Sequence, residues 1–227
     1  MQSYETAYIL VSKTYGGIQM SLLLNVPYAE KDEAKALGAR WNPRFKKWCA
    51  VNKQEYYKFR KWYKNKNTDL ILLDHFYIII SEQRCLECQN STPMISLVSD
   101  SYIMMEKERF QMVEKDINFI QDPNNLPEPL EKYLKENHKF YYDHPKTSRT
   151  NYFGNHCHTC GMLQQKFSIY SQLDSPFMID SVPKAESLNV LKIKLQFDLE
   201  MSGTVIWSSC DHLIREHAKI SNFNLDL

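Results

Sequence analysis

The chain has 227 residues, with 28 Lys+Arg against 27 Asp+Glu, six Cys, nine Pro and only six Gly. That length suits one or two domains with a sizeable core, and 43% apolar with 24% charged residues exclude a disordered or collagen-like polypeptide. No apolar run approaches the roughly 20 residues that span a bilayer, and the opening Met1-Gln2-Ser3-Tyr4-Glu5 lacks the basic-then-apolar order of a secretion signal, so a cytoplasmic location without membrane contact is expected.

A strand is expected over Ala7 to Val11, and Gly16-Gly17 marks a turn. Met20 to Val26 is a short apolar run of strand length. Ala29 to Ala39 is rich in helix formers, with acids in its first turn and Gly38 near its end. Trp41-Asn42-Pro43 reads as a turn and Phe45 to Val51 as a second strand. Asn52 is placed to cap a second helix, along which Tyr56, Phe59, Arg60 and Tyr63 recur at helical spacing. Residues 1–67 therefore form a small β-α-β-α module, which ends in the polar connection Lys64-Asn65-Lys66-Asn67-Thr68.

Residues 68–227 read as a second, α+β domain with an antiparallel sheet. Leu70 to Ser81 and Met94 to Met105 are β-prone, whereas Phe110 to Ile120 and Pro127 to His138 are expected to be helical. Further strands are expected at Gln165 to Tyr170, Val190 to Phe197 and Thr204 to Trp207, with a last helix over Asp211 to Ile220. Split at this junction, the net charge of +1 separates into +8 for residues 1–67 and −7 for the remainder, so the two parts present different surfaces.

Cys85-x-x-Cys88 and Cys157-x-x-Cys160 carry the most specific chemistry in the chain. A two-residue gap lets both thiolates of a pair reach one ion from a tight turn, and two such turns complete the tetrahedron that Zn²⁺ favours. Each pair adjoins a β-prone run, as in a zinc ribbon, here with a helical insertion between the pairs. One structural zinc is expected, and four thiolates leave no open position on it for a substrate. His156 and His158 flank Cys157 as substitutes for a thiolate or as supporting donors. Cys49 and Cys210 read as ordinary thiols.

Arg40 to Lys66 interleaves ten Lys+Arg with eight aromatics and one acid, Glu55. Cations that neutralise phosphate beside aromatic faces that stack on bases suit a single-stranded nucleic acid. Arg40, Arg44, Lys46, Lys47, Lys58, Arg60, Lys61 and Lys64 are the candidate contacts, with Trp41, Trp48 and Phe59 expected in the module's core. The bland alternatives are a solvated face, or a basic surface docked on the acidic second part.

The run Leu24-Asn25-Val26-Pro27-Tyr28, then Ala34-Lys35-Ala36-Leu37-Gly38-Ala39-Arg40-Trp41-Asn42-Pro43 and Lys47-Trp48, resembles a small domain of unknown function. That domain occurs at the C-terminal ends of TraC-like plasmid primases and in other mobile-element proteins. The resemblance covers about residues 20–63, with Asn42 where an acid is common, and implies a mobile-element or DNA-processing context. Tyr152-Phe153-Gly154-Asn155-His156-Cys157-His158-Thr159-Cys160-Gly161, followed by Gln164-Gln165-Lys166-Phe167, is similar to zinc-ribbon segments of uncharacterised bacterial proteins.

These signals point to a non-enzymatic zinc-binding protein that contacts nucleic acid through its first part. The alternative is a protein-interaction factor, such as an inhibitor of a host nucleic-acid enzyme, working through its acidic surface. A third reading is an HNH-type nuclease, with His144 as general base and Asp143 on a divalent cation, followed by Pro145 and Asn151. Its glycine pair and the His after Cys160 are missing. Cys210-Asp211-His212 lacks the spatial separation that a Cys/His nucleophile needs, and Asp74-His75 reads as a hydrogen-bonded histidine in an apolar strand.

Overall fold

The computed structural model describes residues 21–106, 109–143 and 152–227; the strand expected over Ala7 to Val11 and the turn at Gly16-Gly17 lie outside them. The first part builds a three-stranded antiparallel sheet in the order β1 (Leu22–Leu24), β3 (Lys47–Ala50), β2 (Arg40–Asn42). Helix α1 (Lys31–Ala36) starts with Asp32 and Glu33 against its dipole and buries Ala34. Gly38 then turns the chain at φ +99°, backbone that a side chain would strain. The Asn42 carboxamide accepts from the backbone N–H of Arg44 and Phe45, closing the β2–β3 corner.

Asn52 caps the next helix by accepting from Gln54 N at 3.2 Å, and Lys53–Trp62 is a 3-10 helix of ten residues. The spacing explains the type. Tyr56, Phe59 and Trp62, the buried residues, recur every three positions and so share one face only when the helix turns once per three residues.

The second part is mixed α+β. It comprises β4 (Leu70–Leu72), β5 (His75–Arg84), β6 (Ser91–Glu106), β7 (Arg109–Asn124), α2 (Glu128–His138), β8 (Phe140–Asp143), β9 (Tyr152–Asn155), α3 (Lys166–Tyr170), α4 (Val182–Glu186), β10 (Asn189–Lys194), β11 (Leu199–Ile206), α5 (His212–His217) and β12 (Lys219–Phe223). Seven strands form one sheet in the order β12-β10-β5-β6-β4-β11-β7, and β7 also pairs with β6. The pairings β6–β4, β4–β11, β11–β7 and β7–β6 therefore run in a closed cycle, from which β5, β10 and β12 extend. All are antiparallel except β10–β12.

Three expectations are corrected. Trp41 and Asn42 are not in a turn but end strand β2, so the first part runs β-α-β-β and then a 3-10 helix rather than β-α-β-α. Phe110 to Ile120 is not a helix but most of β7, and Gln165 to Tyr170 is not a strand but helix α3. In β7 the apolar positions Phe110, Val113, Ile117 and Ile120 imitate helical spacing. They do so because both faces of β7 are packed, with Val113 and Ile120 in one core, Phe110 against a second and Ile117 in a third, and because an irregularity opposite Ser99 and Ser101, with Lys115 at φ +82°, inserts extra residues between Val113 and Ile120. In α3 the apolar Phe167 and Ile169 on either side of Ser168 imitate strand alternation, yet Phe167 is exposed while Ile169 and Ser168 are buried, and Ser168 N bonds back to Gln165 O.

Both faces of the large sheet are covered. On β5, Phe76 and Ile78 enter the core under α2, while Tyr77 and Ile79 enter the core with Ile169, Ala185 and Ile214 of the other helices. On β6 the parity reverses at the bulge: Ile95 and Leu97 share a core with Tyr102 beyond it.

The first part is packed on this sheet, and the two share a core. Leu22, Leu24, Tyr56, Phe59 and Trp62 pack with Ile71 and Leu73 at β4 and with Ile103 and Met105 of β6. Polar groups seal the seam. Tyr56 donates to the buried Asp198 at 2.6 Å, Lys53 lies 2.7 Å from Asp74 and 3.9 Å from Asp198, and Glu200 accepts from the backbone N–H of Lys64 and Asn65. The connection at residues 64–68 is thus clamped, with Thr68 donating to the same carboxylate.

Candidate metal centre and basic hairpin

The tight turn after β5 holds Cys85 and Cys88; the turn after β9 holds Cys157 and Cys160. The two turns are built alike. Cys85 N donates to Asn90 O and Cys157 N to Met162 O, each five residues ahead. Gln89 N returns to Cys85 O and Gly161 N to Cys157 O, each four residues back. Glu87 N points at the Cys85 sulfur at 3.4 Å and Thr159 N at the Cys157 sulfur at 3.3 Å. The residue that closes each turn, Gln89 or Gly161, has positive φ.

The four sulfurs lie within 4.8 Å of one another, with Cys85 3.6 Å from Cys160 and Cys88 3.7 Å from Cys157. A tetrahedral Zn–S₄ site with bonds of about 2.3 Å separates its sulfurs by about 3.8 Å. The tetrad could therefore hold a metal ion such as zinc. Electrostatics agree with the geometry. Burial opposes ionisation of Cys157, but the N–H groups of Cys160 and Thr159 outweigh it and lower the thiol to about 6; Cys85 is lowered in the same way. Although Met162 N favours its thiolate, Cys160 is pushed up to about 12 by burial and the three neighbouring sulfurs. The cluster prepares anions that repel one another, and a cation relieves that repulsion.

Three residues support the turns. Asn155, buried at the end of β9, accepts from Ile95 N at 2.8 Å and donates to Ile95 O at 2.9 Å, so its carboxamide ties the second turn to β6 as a strand neighbour would. His156 makes no approach to the sulfurs: its ring contacts the Lys139 carbonyl and the Asp143 carboxylate at 3.0 Å and stacks on Tyr141 at 3.8 Å. His158 contributes a backbone N–H to Thr92.

A fourth residue, Gln164, was not singled out as a site residue by its sequence; the only signal was its place just beyond the second pair. It is 1% exposed, donates to the Cys85 sulfur at 3.3 Å and to Met162 O, and accepts from Leu86 N. One side chain thus spans both turns. Gln164→Ala is expected to weaken zinc binding about 10- to 100-fold with the four thiolates in place, as measured by competition with a chromogenic chelator.

Asp143 of the nuclease reading ends β8 and faces His156; His144, Pro145 and Asn151 lie outside the described residues. His75 lies 2.9 Å from Asp100 and 3.0 Å from the Tyr77 hydroxyl, a local cluster within the sheet. His212 faces the Ser209 carbonyl rather than Cys210, and burial raises the neighbouring Asp211 to about 6.

The eight basic candidates divide into two groups. Lys58 pairs with Glu55, Lys61 lies 3.2 Å from Glu30 and 2.6 Å from Glu33, and Lys64 sits beside Glu200, all with the exposed Arg60 on or next to the 3-10 helix. Arg40, Arg44, Lys46 and Lys47 instead gather on the β2–β3 hairpin, exposed, and make no ion pair among the described residues. Phe59 is in the core as expected. Trp41 is not: it is 50% exposed and meets the half-buried Trp48 edge-on at 5.8 Å.

Comparison with known proteins bears on this part of the chain. Residues 22–64 match a domain of unknown function, DUF5710. Its limits coincide with the observed unit from β1 to the end of the 3-10 helix. No curated protein and no solved structure matches the chain. Among the described residues, no helix is long and apolar enough to cross a membrane.

Proposed function

We propose that this is a non-enzymatic, zinc-stabilised nucleic-acid-binding protein of a mobile-element or DNA-processing context, in which the DUF5710 segment makes the contact. The observation that carries the reading is the β2–β3 hairpin. Four cations without acidic partners among the described residues share this hairpin with a half-exposed tryptophan, whereas Lys58 and Lys61 of the 3-10 helix are drawn into contacts with Glu30, Glu33 and Glu55. Phosphate backbones attract such unpaired cations through the release of condensed counterions.

The resemblance of residues 20–63 to a module of TraC-like plasmid primases supports the context. The sulfur tetrad supports a zinc-ribbon role that is structural, since four thiolates saturate a tetrahedral ion and leave it no position for chemistry.

With the full chain and labelled single-stranded DNA or RNA, affinity is expected to fall steeply as salt rises. Lys46→Ala with Lys47→Ala should lower the slope of log K against log salt by about 1.4–1.8, whereas Lys58→Ala should leave it nearly unchanged. Absence of binding at low salt would reject the reading and favour a protein partner.

A further inference from the structure

The DUF5710 segment carries a hollow of about 430 Å³, lined by residues from Leu24 to Tyr28 and by Trp41, Lys46, Lys47 and Trp48. That volume is within the range of about 300–1,000 Å³ of small-ligand sites. All its lining residues fall within the matched residues 22–64.

The register explains why the hollow exists. Leu24 lies opposite Trp48, and Trp48 opposite Trp41, so one row of side chains crosses all three strands on one face. At the β1 end of the row Leu24 is 1% exposed in the shared core, while at the β2 end Trp41 is half exposed. The core-facing side of the sheet therefore continues past the elements that cover it. Tyr28, 84% exposed, also lines the hollow, with Lys31 4.8 Å from the centroid of its ring.

No acid lines this hollow, and Lys47 is held at its rim by Asn25, whose side-chain oxygen accepts from Nζ at 2.8 Å. Asn25 is itself fixed, its N–H bonding to Trp62 O. The hollow thus offers aromatic faces with an oriented ammonium beside them, which is the chemistry of an unpaired base and its phosphate.

Building on the nucleic-acid reading, we infer that Tyr28, Trp41 and Trp48 form a stacking slot for a single unpaired nucleobase, with Lys46 and Lys47 on the adjoining phosphate. A base paired in a duplex keeps its faces stacked on its neighbours and cannot enter. The ligand is therefore single-stranded, and because every base has a π-face the slot tolerates any sequence.

The test compares three labelled probes on the full, zinc-loaded chain: an oligothymidylate, an abasic oligonucleotide with the same number of phosphates, and a duplex of the same length. The oligothymidylate is expected to bind about tenfold tighter than the abasic strand. Trp41→Ala should abolish most of that ratio, and Trp41→Phe, which keeps a ring, should restore part of it. Lys46→Ala should weaken the oligothymidylate and the abasic strand alike. Circular dichroism of each variant separates lost stacking from lost fold, and quenching of tryptophan fluorescence by the oligothymidylate should be smaller in Trp41→Phe. Equal binding of abasic and base-bearing strands, a preference for the duplex, or a ratio unmoved by Trp41→Ala would overturn the slot and leave the electrostatic reading standing. Failure of every probe at low salt would remove both.

Discussion

Cys157→Ser is expected to take the zinc content from about one ion per chain to near zero and to cost more than about 3 kcal/mol of stability. Cys157 anchors the second turn: its N–H, carbonyl and sulfur each close a bond of that turn. Elemental analysis measures the first effect and urea unfolding the second. The damage should be uneven. The β8–β9 lobe reaches the large sheet through Asn155 and the Phe140–Phe153 contact with the core, whereas the sheet itself is closed by its own strand pairings. Amide exchange should therefore accelerate first at residues 152–164, with β5, β6 and β10 protected until global unfolding. Acid should mimic the mutation. Protons compete with the metal for the four thiolates, so zinc affinity and the stability that it supplies should fall together as the pH is lowered. Full stability with no metal bound at neutral pH would contradict the structural-zinc reading.

The second large effect is expected at the seam. Asp198→Ala should cost about 3–5 kcal/mol, because it leaves the Tyr56 hydroxyl without its acceptor and Lys53 without one of its two carboxylates in a buried setting. Asp198→Asn keeps one oxygen, which can accept from Tyr56 or from Asp74 N but not from both, and should cost less than the alanine, about 1–3 kcal/mol. The pH dependence distinguishes them further. Burial raises the Asp198 carboxyl above its ordinary value, against the pull of Lys53, Tyr56 and Asp74 N. The folded state then binds that proton more tightly than the unfolded one, so the contribution is present at low pH and is lost as pH rises through the folded value. Asp198→Asn should flatten that part of the stability curve, as followed by chemical unfolding at several pH values. Equal losses for Ala and Asn would show that the seam is held by packing around Leu22 and Ile71 rather than by this carboxylate.

The seam also bears on the charge asymmetry of the sequence. The +8 of residues 1–67 does not spread evenly over one face: Lys53 is spent on Asp74 and Asp198, Lys64 lies beside Glu200, and Lys58 and Lys61 answer acids within their own segment. Of the other exposed cations among the described residues of this part, four share one hairpin while Lys35, Arg60 and Lys66 lie elsewhere, and that grouping gives the binding proposal a location.

Legibility in the sequence followed the range of the interactions. The two CxxC pairs, the helix that begins after Pro127, the Asn52 cap and strands β1 and β3 depend on neighbours a few residues away, and they form where the pattern puts them, whereas β2 exists only through its pairing with β3. Phe110 to Ile120 has a helical rhythm because β7 is packed on both faces and carries a bulge of its own, features that only its distant neighbours reveal. Gln164 escaped notice because a glutamine acquires its role only when a second turn, about 80 residues away in the chain, is folded against it.

By itself, then, the sequence determined which atoms could bind a metal and which segment carries the basic charge, since both are matters of residue type and short spacing. Only the tertiary structure decided that the two pairs meet in one tetrad, that buried Asp198 and Glu200 join the parts, and that Trp41 is left half exposed beside unpaired cations. Those outcomes depend on which surfaces cover one another, and coverage is fixed by strand pairing between distant segments rather than by any local pattern.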